Sequence, residues 1–261
     1  LSEVQAFYTR YYHPANASLT LAGAIRPDDA FALAERYFGD LPAGPVVEPV
    51  RVPSPRITSR RLVLEDRVEL ARVYMAWHTP AMFAPGDAEM DLAADVLANG
   101  KTSRLYKTLV FDTRLALDVS AYQASREMAG YALIVATVTP GRAVSDVVAA
   151  INDAVAAVAA EGPSASELER SAVQAESHFI YRLQTCGGFG GKSDQLNAYN
   201  VFKGDPGYFA ADLARYQEAT VGSVREAVAA YCRPDRCITL TVVPKGQRAA
   251  ALPGSEDVVM S

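Results

Sequence analysis

Cysteine and histidine are both scarce in this 261-residue chain, with three of each. Cys186, Cys232 and Cys237 are too few and too unevenly spaced for a disulfide framework. Cys232 and Cys237, in YCRPDRC, can bridge across the turn at Pro234 and Asp235 or stand as two unpaired buried thiols, and both readings stay open. His13, His78 and His178 never fall three or four residues apart, and neither H-E-x-x-H nor its inverse H-x-x-E-H occurs. A hydrolytic zinc site ordinarily takes three protein ligands, so no local zinc motif is legible. His78 closes an apolar strand in AWHTP and His178 lies on a helix beside Phe179; both read as structural. The chain has no G-x-S-x-G elbow and no cysteine with a histidine beside it, which removes the common nucleophile signatures. Carboxylate pairs such as Glu65–Asp66 and Asp91–Asp95 read as solvated faces.

Long apolar runs and basic runs are also missing. Nothing approaches the roughly 20 residues of a membrane span. With a net charge of −5, a pI near 5.3 and no Lys/Arg-rich segment, a nucleic-acid groove or an anionic membrane surface is a poor fit. The opening LSEVQAFYTRYY has neither an initiator Met nor the basic-then-apolar layout of a signal peptide, and the chain reads as a fragment or a processed product.

What is present is ordinary globular material, 50% hydrophobic and 21% charged. A helix over Glu3–Tyr11 stops before His13-Pro14, because a residue preceding proline is biased away from the helix. ASLTLAG (Ala17–Gly23) reads as a strand. A helix follows, with Pro27 in its first turn and Asp28 and Asp29 at the positive end of its dipole. Leu41–Arg56 carries five prolines and reads as an extended surface connection. Strands are expected around Leu62 and Met75, a helix over Pro85–Asn99 and another over Ser103–Val110. DVSAYQA and YALIVATV read as an antiparallel pair joined through SREMAG. A helix over Val144–Ala160 precedes one opened by a capping box, Ser164 with Glu167. Thr220–Tyr231 is the last helix and Cys237–Pro244 the last strand. This order predicts an α+β fold: a mixed, mainly antiparallel sheet with helices on one face. One domain is expected over 1–245, with 246–261 a mobile tail.

TCGGFGGKSDQLN (Thr185–Asn197) contains the second half of a P-loop, Gly191-Lys192-Ser193, with Cys186 where the first glycine belongs. A P-loop needs a strand feeding it, and here a helix does. The favoured reading is a glycine break between two helices; nucleotide binding through 187–193 is kept as an alternative.

Four stretches in order resemble the zinc peptidases of the pitrilysin/insulinase type: FYTRYYHPANASLTLAG, ERYFGDLPAGP, NGKTSRLYKTLV, and GGFGGKSDQLNAYNVFKGDPGYF with the helix carrying Val221 and Val224. The resemblance runs from about Val4 to Pro244. It implies the second domain of a half-molecule, the one without metal, with zinc and its general-base glutamate in a partner domain of the same parent chain or of a partner subunit. The expected role is a wall of the closed peptide chamber, with Phe189, Lys192 and Tyr122 as candidate substrate contacts. A structural assembly subunit of the same fold is the alternative. Family members often carry an Arg and a Tyr seven residues apart that hold substrate; the matching positions here are Val110 and Leu117, and Arg114 and Tyr122 are out of register. The mismatch implies the second domain of the catalytic half, where the pair is not required, or else a degenerate non-catalytic copy, and the first is preferred. With no zinc motif of its own, the chain alone is expected to be inactive. The resemblance also favours a periplasmic or secreted location in a bacterium.

Overall fold

In chain order, the computed structural model has α1 (Ser2–Tyr11), α2 (Pro27–Phe38), β1 (Arg60–Asp66), β2 (Arg72–Thr79), α3 (Asp87–Ala98), a π-helical turn (Tyr106–Asp112), β3 (Ala116–Ala124) and β4 (Gly130–Val138). Then come α4 (Val144–Glu161), α5 (Ala165–Arg182), α6 (Lys192–Lys203), α7 (Phe209–Gln217), α8 (Val221–Tyr231), β5 (Ile238–Pro244) and β6 (Glu256–Asp257). The described residues are 1–53 and 57–258; residues 54–56 of the proline-rich connection and 259–261 of the tail lie outside them.

The chain divides into two compact units, Leu1–Pro53 with Ser177–Leu213, and Ser54–Glu176 with Ala214–Ser261. The second unit contains the whole sheet, in the order β3-β4-β2-β5-β1-β6. β3–β4, β4–β2 and β2–β5 are antiparallel, while β1 runs parallel to both β5 and β6. The fold is thus α+β with a mixed, mainly antiparallel sheet. Period-2 alternation sets which face is buried. Along β2, Val73, Met75, Trp77 and Thr79 point into the core and Tyr74, Ala76 and His78 point away. The inward residues meet α3, α4 and α8 through Met90, Leu97, Ile151, Val155 and Val228, all in one buried cluster.

Local signals explain the helix ends. Pro27 sits in the first turn of α2 with Asp28 and Asp29 behind it. At α5 the capping box forms: Ser164 N–H donates to Glu167 Oε2 at 2.7 Å, and Glu167 N–H to Ser164 Oγ at 3.3 Å. Thr220 and Ser223 cap α8 by the same reciprocal bonds.

Two expectations are corrected, and the tail has contacts of its own. Ala17–Gly23 forms no strand, because a strand exists only with a ladder partner and none of the described residues supplies one. Its side chains bond to α6 instead: Asn200 Nδ2 donates to Ser18 Oγ at 3.0 Å and Thr20 Oγ1 to Asn197 Oδ1 at 3.2 Å. The helix expected over Ser103–Val110 passes into the π-helical turn, which closes with Thr113 N–H on Thr108 O at 3.1 Å. After Lys245, where a mobile tail is expected, β6 pairs with Leu62 and Val63, and Arg248 grips Asp257 at 2.8 Å.

Candidate functional site

The sheet has one face packed by helices and a second face on which polar and aromatic side chains emerge. Tyr122 on β3 and Tyr131 on β4 are diagonal neighbours across the ladder, since Tyr122 pairs with Leu133 and Tyr131 with Ala124. Their rings meet edge to face with centroids 6.2 Å apart. Tyr122 is 44% exposed. Partial desolvation, then the Tyr131 hydroxyl, then the charges of Tyr131 and Tyr74 if ionised, push its phenol up, so it stays a neutral donor and acceptor. Tyr74 therefore shares this face with the other two. Beside them Arg72 Nε donates to Thr137 Oγ1 at 3.0 Å, and Thr137 Oγ1 donates to Asp118 Oδ1 at 3.1 Å, a polar row across β2, β4 and β3.

β3 is an edge strand of nine residues, and no described strand pairs on its outer side. Edge strands are ordinarily blunted by proline or lysine. ALDVSAYQA has neither, and Asp118 is its sole charge. Its register shifts at Leu117, which is 51% exposed. The outer row of N–H and C=O groups is the kind of template that an extended peptide can extend by one strand.

The inner side of β3 is held differently. Gln123 Nε2 donates to Asp87 Oδ1 at 2.7 Å, Ser125 Oγ donates to the same oxygen, and Phe83 N–H donates to Asp87 Oδ2 at 2.8 Å. Arg215 completes the set with an ion pair to Asp87 Oδ2 at 3.1 Å. A buried carboxylate with this many donors is satisfied, and it locks the β3–β4 hairpin to the start of α3. One turn along, Tyr216 Oη donates to Asp91 Oδ2 at 2.7 Å. Burial of the Asp91 carboxyl nevertheless pushes its pKa up to about 7, against that hydrogen bond and with Asp87 and Asp95 adding repulsion. Burial also raises Asp95. The sequence analysis reads Asp91 and Asp95 as a solvated face; the structure corrects this, because α3 is surrounded by core residues on most of its circumference. Nine of the twelve α3 positions are buried, which leaves Asp91 and Asp95 only a shielded rim.

The glycine-rich loop lies in the first unit. α5 runs into it and α6 leaves it, so no strand feeds it. The first two N–H groups of α6 are already used, Lys192 by Thr185 O at 2.9 Å and Ser193 by Cys186 O at 3.1 Å. Asp194 sits in that first turn and accepts from Gly190 N–H at 2.8 Å. A phosphate would find two of its donors taken and a carboxylate beside them, which argues against the nucleotide reading. Gly188 and Gly190 adopt φ of +80 and +78, a conformation that side chains strain to reach. Between them Phe189 is fully exposed, and Lys192 is exposed as well.

Of the expected contacts, Tyr122 belongs to the second unit, and Phe189 and Lys192 to the first. Val110 sits in the π-helical turn and Leu117 at the register shift of β3, so neither offers a polar group to a substrate. Both ring nitrogens of His13 face carbonyls, Ala43 O at 3.0 Å and Arg10 O at 2.8 Å. His78 is half-buried on β2, and His178 is lowered by burial first and then by Arg182. Among the described residues no three His, Cys, Asp or Glu side chains come together as a metal site, and no helix is long and apolar enough to cross a membrane.

Residues 1–174 match the family model described as the Peptidase M16 inactive domain. A zinc protease PqqE of Helicobacter pylori is 26% identical over 123 residues, covering 44% of this chain and 27% of that protein. A peptidase M16 inactive domain from Pseudomonas fluorescens superposes with a TM-score of 0.80 at 20% identity, over 94% of this chain and 58% of that one. The first half of the periplasmic protease PqqL from Escherichia coli gives 0.74 at 17% identity, over 96% of this chain and 56% of that one. The chain thus spans about a quarter of the curated relative and less than three fifths of these two solved structures.

Proposed function

Because the chain belongs to the M16 peptidase family, in the part described as its inactive domain, we propose that it is a non-catalytic domain of a zinc-dependent endopeptidase and forms part of the wall of its peptide chamber. Family membership through the inactive domain is the observation that carries this reading. The zinc-motif-bearing partner domain supplies the metal chemistry, polarising the scissile carbonyl and activating water. This chain's own contribution is to bind, orient and exclude solvent. The tyrosines of the second sheet face present flat, amphipathic rings to side chains of an extended peptide. The β3 edge offers main-chain hydrogen bonds that do not depend on peptide sequence. Phe189, carried on a loop of glycines, is a second apolar contact. Export to the periplasm follows the same family reading.

The test is photo-crosslinking in the assembled peptidase. A benzophenone residue replaces Tyr122, or, as a control, the exposed Glu226 on the helical side, and an unfolded peptide is supplied. Capture at position 122 and not at 226 supports the proposal. Equal capture at both positions, or a stable assembly that neither captures nor cleaves peptide, favours the assembly-subunit reading instead.

A further inference from the structure

Cys232 and Cys237 span six residues end to end, and the fold buries both in one core cluster. Cys232 caps the end of α8, its N–H on Val228 O at 2.9 Å. A single 3-10 turn, Pro234–Arg236, then reverses the chain, and Cys237 stands immediately before β5. That turn is held at three points: Arg236 N–H on Arg233 O at 3.0 Å, the Arg233 guanidinium on both Asp235 oxygens at 2.9 Å, and Trp77 Nε1 donating to Arg233 O at 3.2 Å. Both cysteines are free and buried, and both belong to the one core cluster. Cys237 Sγ lies 3.6 Å from Thr239 Oγ1 and reaches the backbone of Ala76. Cys232 lines an apolar cavity of about 320 Å3 together with Trp77, the residue next to Ala76. Both cysteines thus neighbour the Ala76–Trp77 stretch of β2, at the two ends of one short turn.

We propose that Cys232 and Cys237 are a dithiol–disulfide couple that staples the α8–β5 turn in an oxidising compartment. The oxidising compartment rests on the family reading; the placement of the two thiols does not. In closure, one thiolate attacks a low-molecular-weight disulfide such as oxidised glutathione and releases a glutathione thiolate. The second cysteine then displaces the other glutathione, so the protein loses two protons and two electrons and the oxidant becomes two thiols. Burial pushes Cys232 up to about 12 and Cys237 up to about 11, and a thiolate at Cys237 adds to the rise at Cys232. Native-state attack is thus slow. The rise at Cys237 alone cuts the thiolate about a hundredfold, of which nucleophilicity returns about tenfold. Closure accordingly happens during folding, before the core seals.

The test refolds the chain from denaturant in glutathione buffer, quenches with acid, alkylates under denaturing conditions and maps peptides by mass. The expected result is that the peptides bearing Cys232 and Cys237 escape alkylation and have together lost two hydrogens, while Cys186 is alkylated or carries glutathione. A loop of six residues, 232–237, raises the thermal midpoint by about 5 °C on closure. Oxidising the already native chain should be slower by at least about tenfold. The Cys186→Ser variant leaves only the pair and removes intermolecular exchange. If that variant still takes up two alkyl groups after oxidative refolding, or if closure lowers the midpoint, the couple does not exist as proposed.

Discussion

Replacing Asp91 by asparagine should stabilise the protein at alkaline pH and slightly destabilise it under acid. The carboxyl titrates at 3.8 in an unfolded chain and near 7 in the folded one, mainly because burial disfavours its charge. A folded-state pKa above the unfolded value means the native state holds a proton that the unfolded state has already released. Stability therefore falls as pH rises from about 4 to about 7, and the full penalty is present beyond that. Its size is about 4 kcal/mol as an upper bound. Asparagine cannot ionise and keeps an oxygen for the Tyr216 hydroxyl, though its amide brings two donors to a shielded place at a cost of about 1–2 kcal/mol. The net gain at pH 8 is then about 2–3 kcal/mol. Urea unfolding of Asp91→Asn and the parent at pH 4.5 and pH 8 measures it, with the midpoint shifting and the slope unchanged. A gain of equal size at both pH values would mean that shape, not charge, controls this position. No gain at pH 8 would mean that the carboxyl is solvated in solution.

The opposite sign is expected at Glu167, which Arg104 holds down to about 2 through two hydrogen bonds. Its stabilisation is complete above about pH 4.5 and disappears as pH falls through 2. After discounting for solvent screening, Glu167→Gln should cost about 1–2 kcal/mol at pH 7 and almost nothing at pH 2 in the same urea assay. The chain equilibrated with zinc and then dialysed should retain no stoichiometric metal by elemental analysis, because no described residues form a ligand set; one tightly held equivalent would contradict this. Phe189→Ala should change the unfolding free energy by less than about 0.5 kcal/mol, since the ring is fully exposed, while lowering peptide capture in the assembled peptidase. A large loss of stability would show that the ring packs against something in solution. Ile151→Ala, in the middle of α4, should cost about 2–5 kcal/mol by the same unfolding measurement.

Wherever the sheet was legible in the sequence, a short-range pattern coincided with a long-range partner. YALIVATV is an apolar run rich in β-branched residues, and only the six residues of SREMAG separate it from DVSAYQA, so pairing was almost forced by proximity. The Ser164–Glu167 and Thr220 helix starts were readable for the same reason: a cap is satisfied within four residues. The acids of α3 were not readable. Asp91 and Asp95 keep the spacing of a solvated stripe, and what desolvates them is the rest of the core together with Tyr216, far along the chain. Asp87 shows the same limit, since its partners come from Gln123, Ser125 and Arg215.

Ala17–Gly23 separates two things that a sequence pattern can state. ASLTLAG has the alternation of a strand, and Ala17 itself is extended, yet no strand forms. A ladder, however, is a property of two segments, and its hydrogen bonds stabilise neither until both are present. Among the described residues the second segment is missing, and the side chains of Ser18 and Thr20 turn to α6. Leu19 and Leu21, on the same side by period 2, remain exposed. The alternation thus encodes a capacity for pairing that the described chain does not use. β3 stands in the same condition on its outer edge, with the difference that its inner edge is locked by β4, so any segment that pairs with it meets a template already held straight.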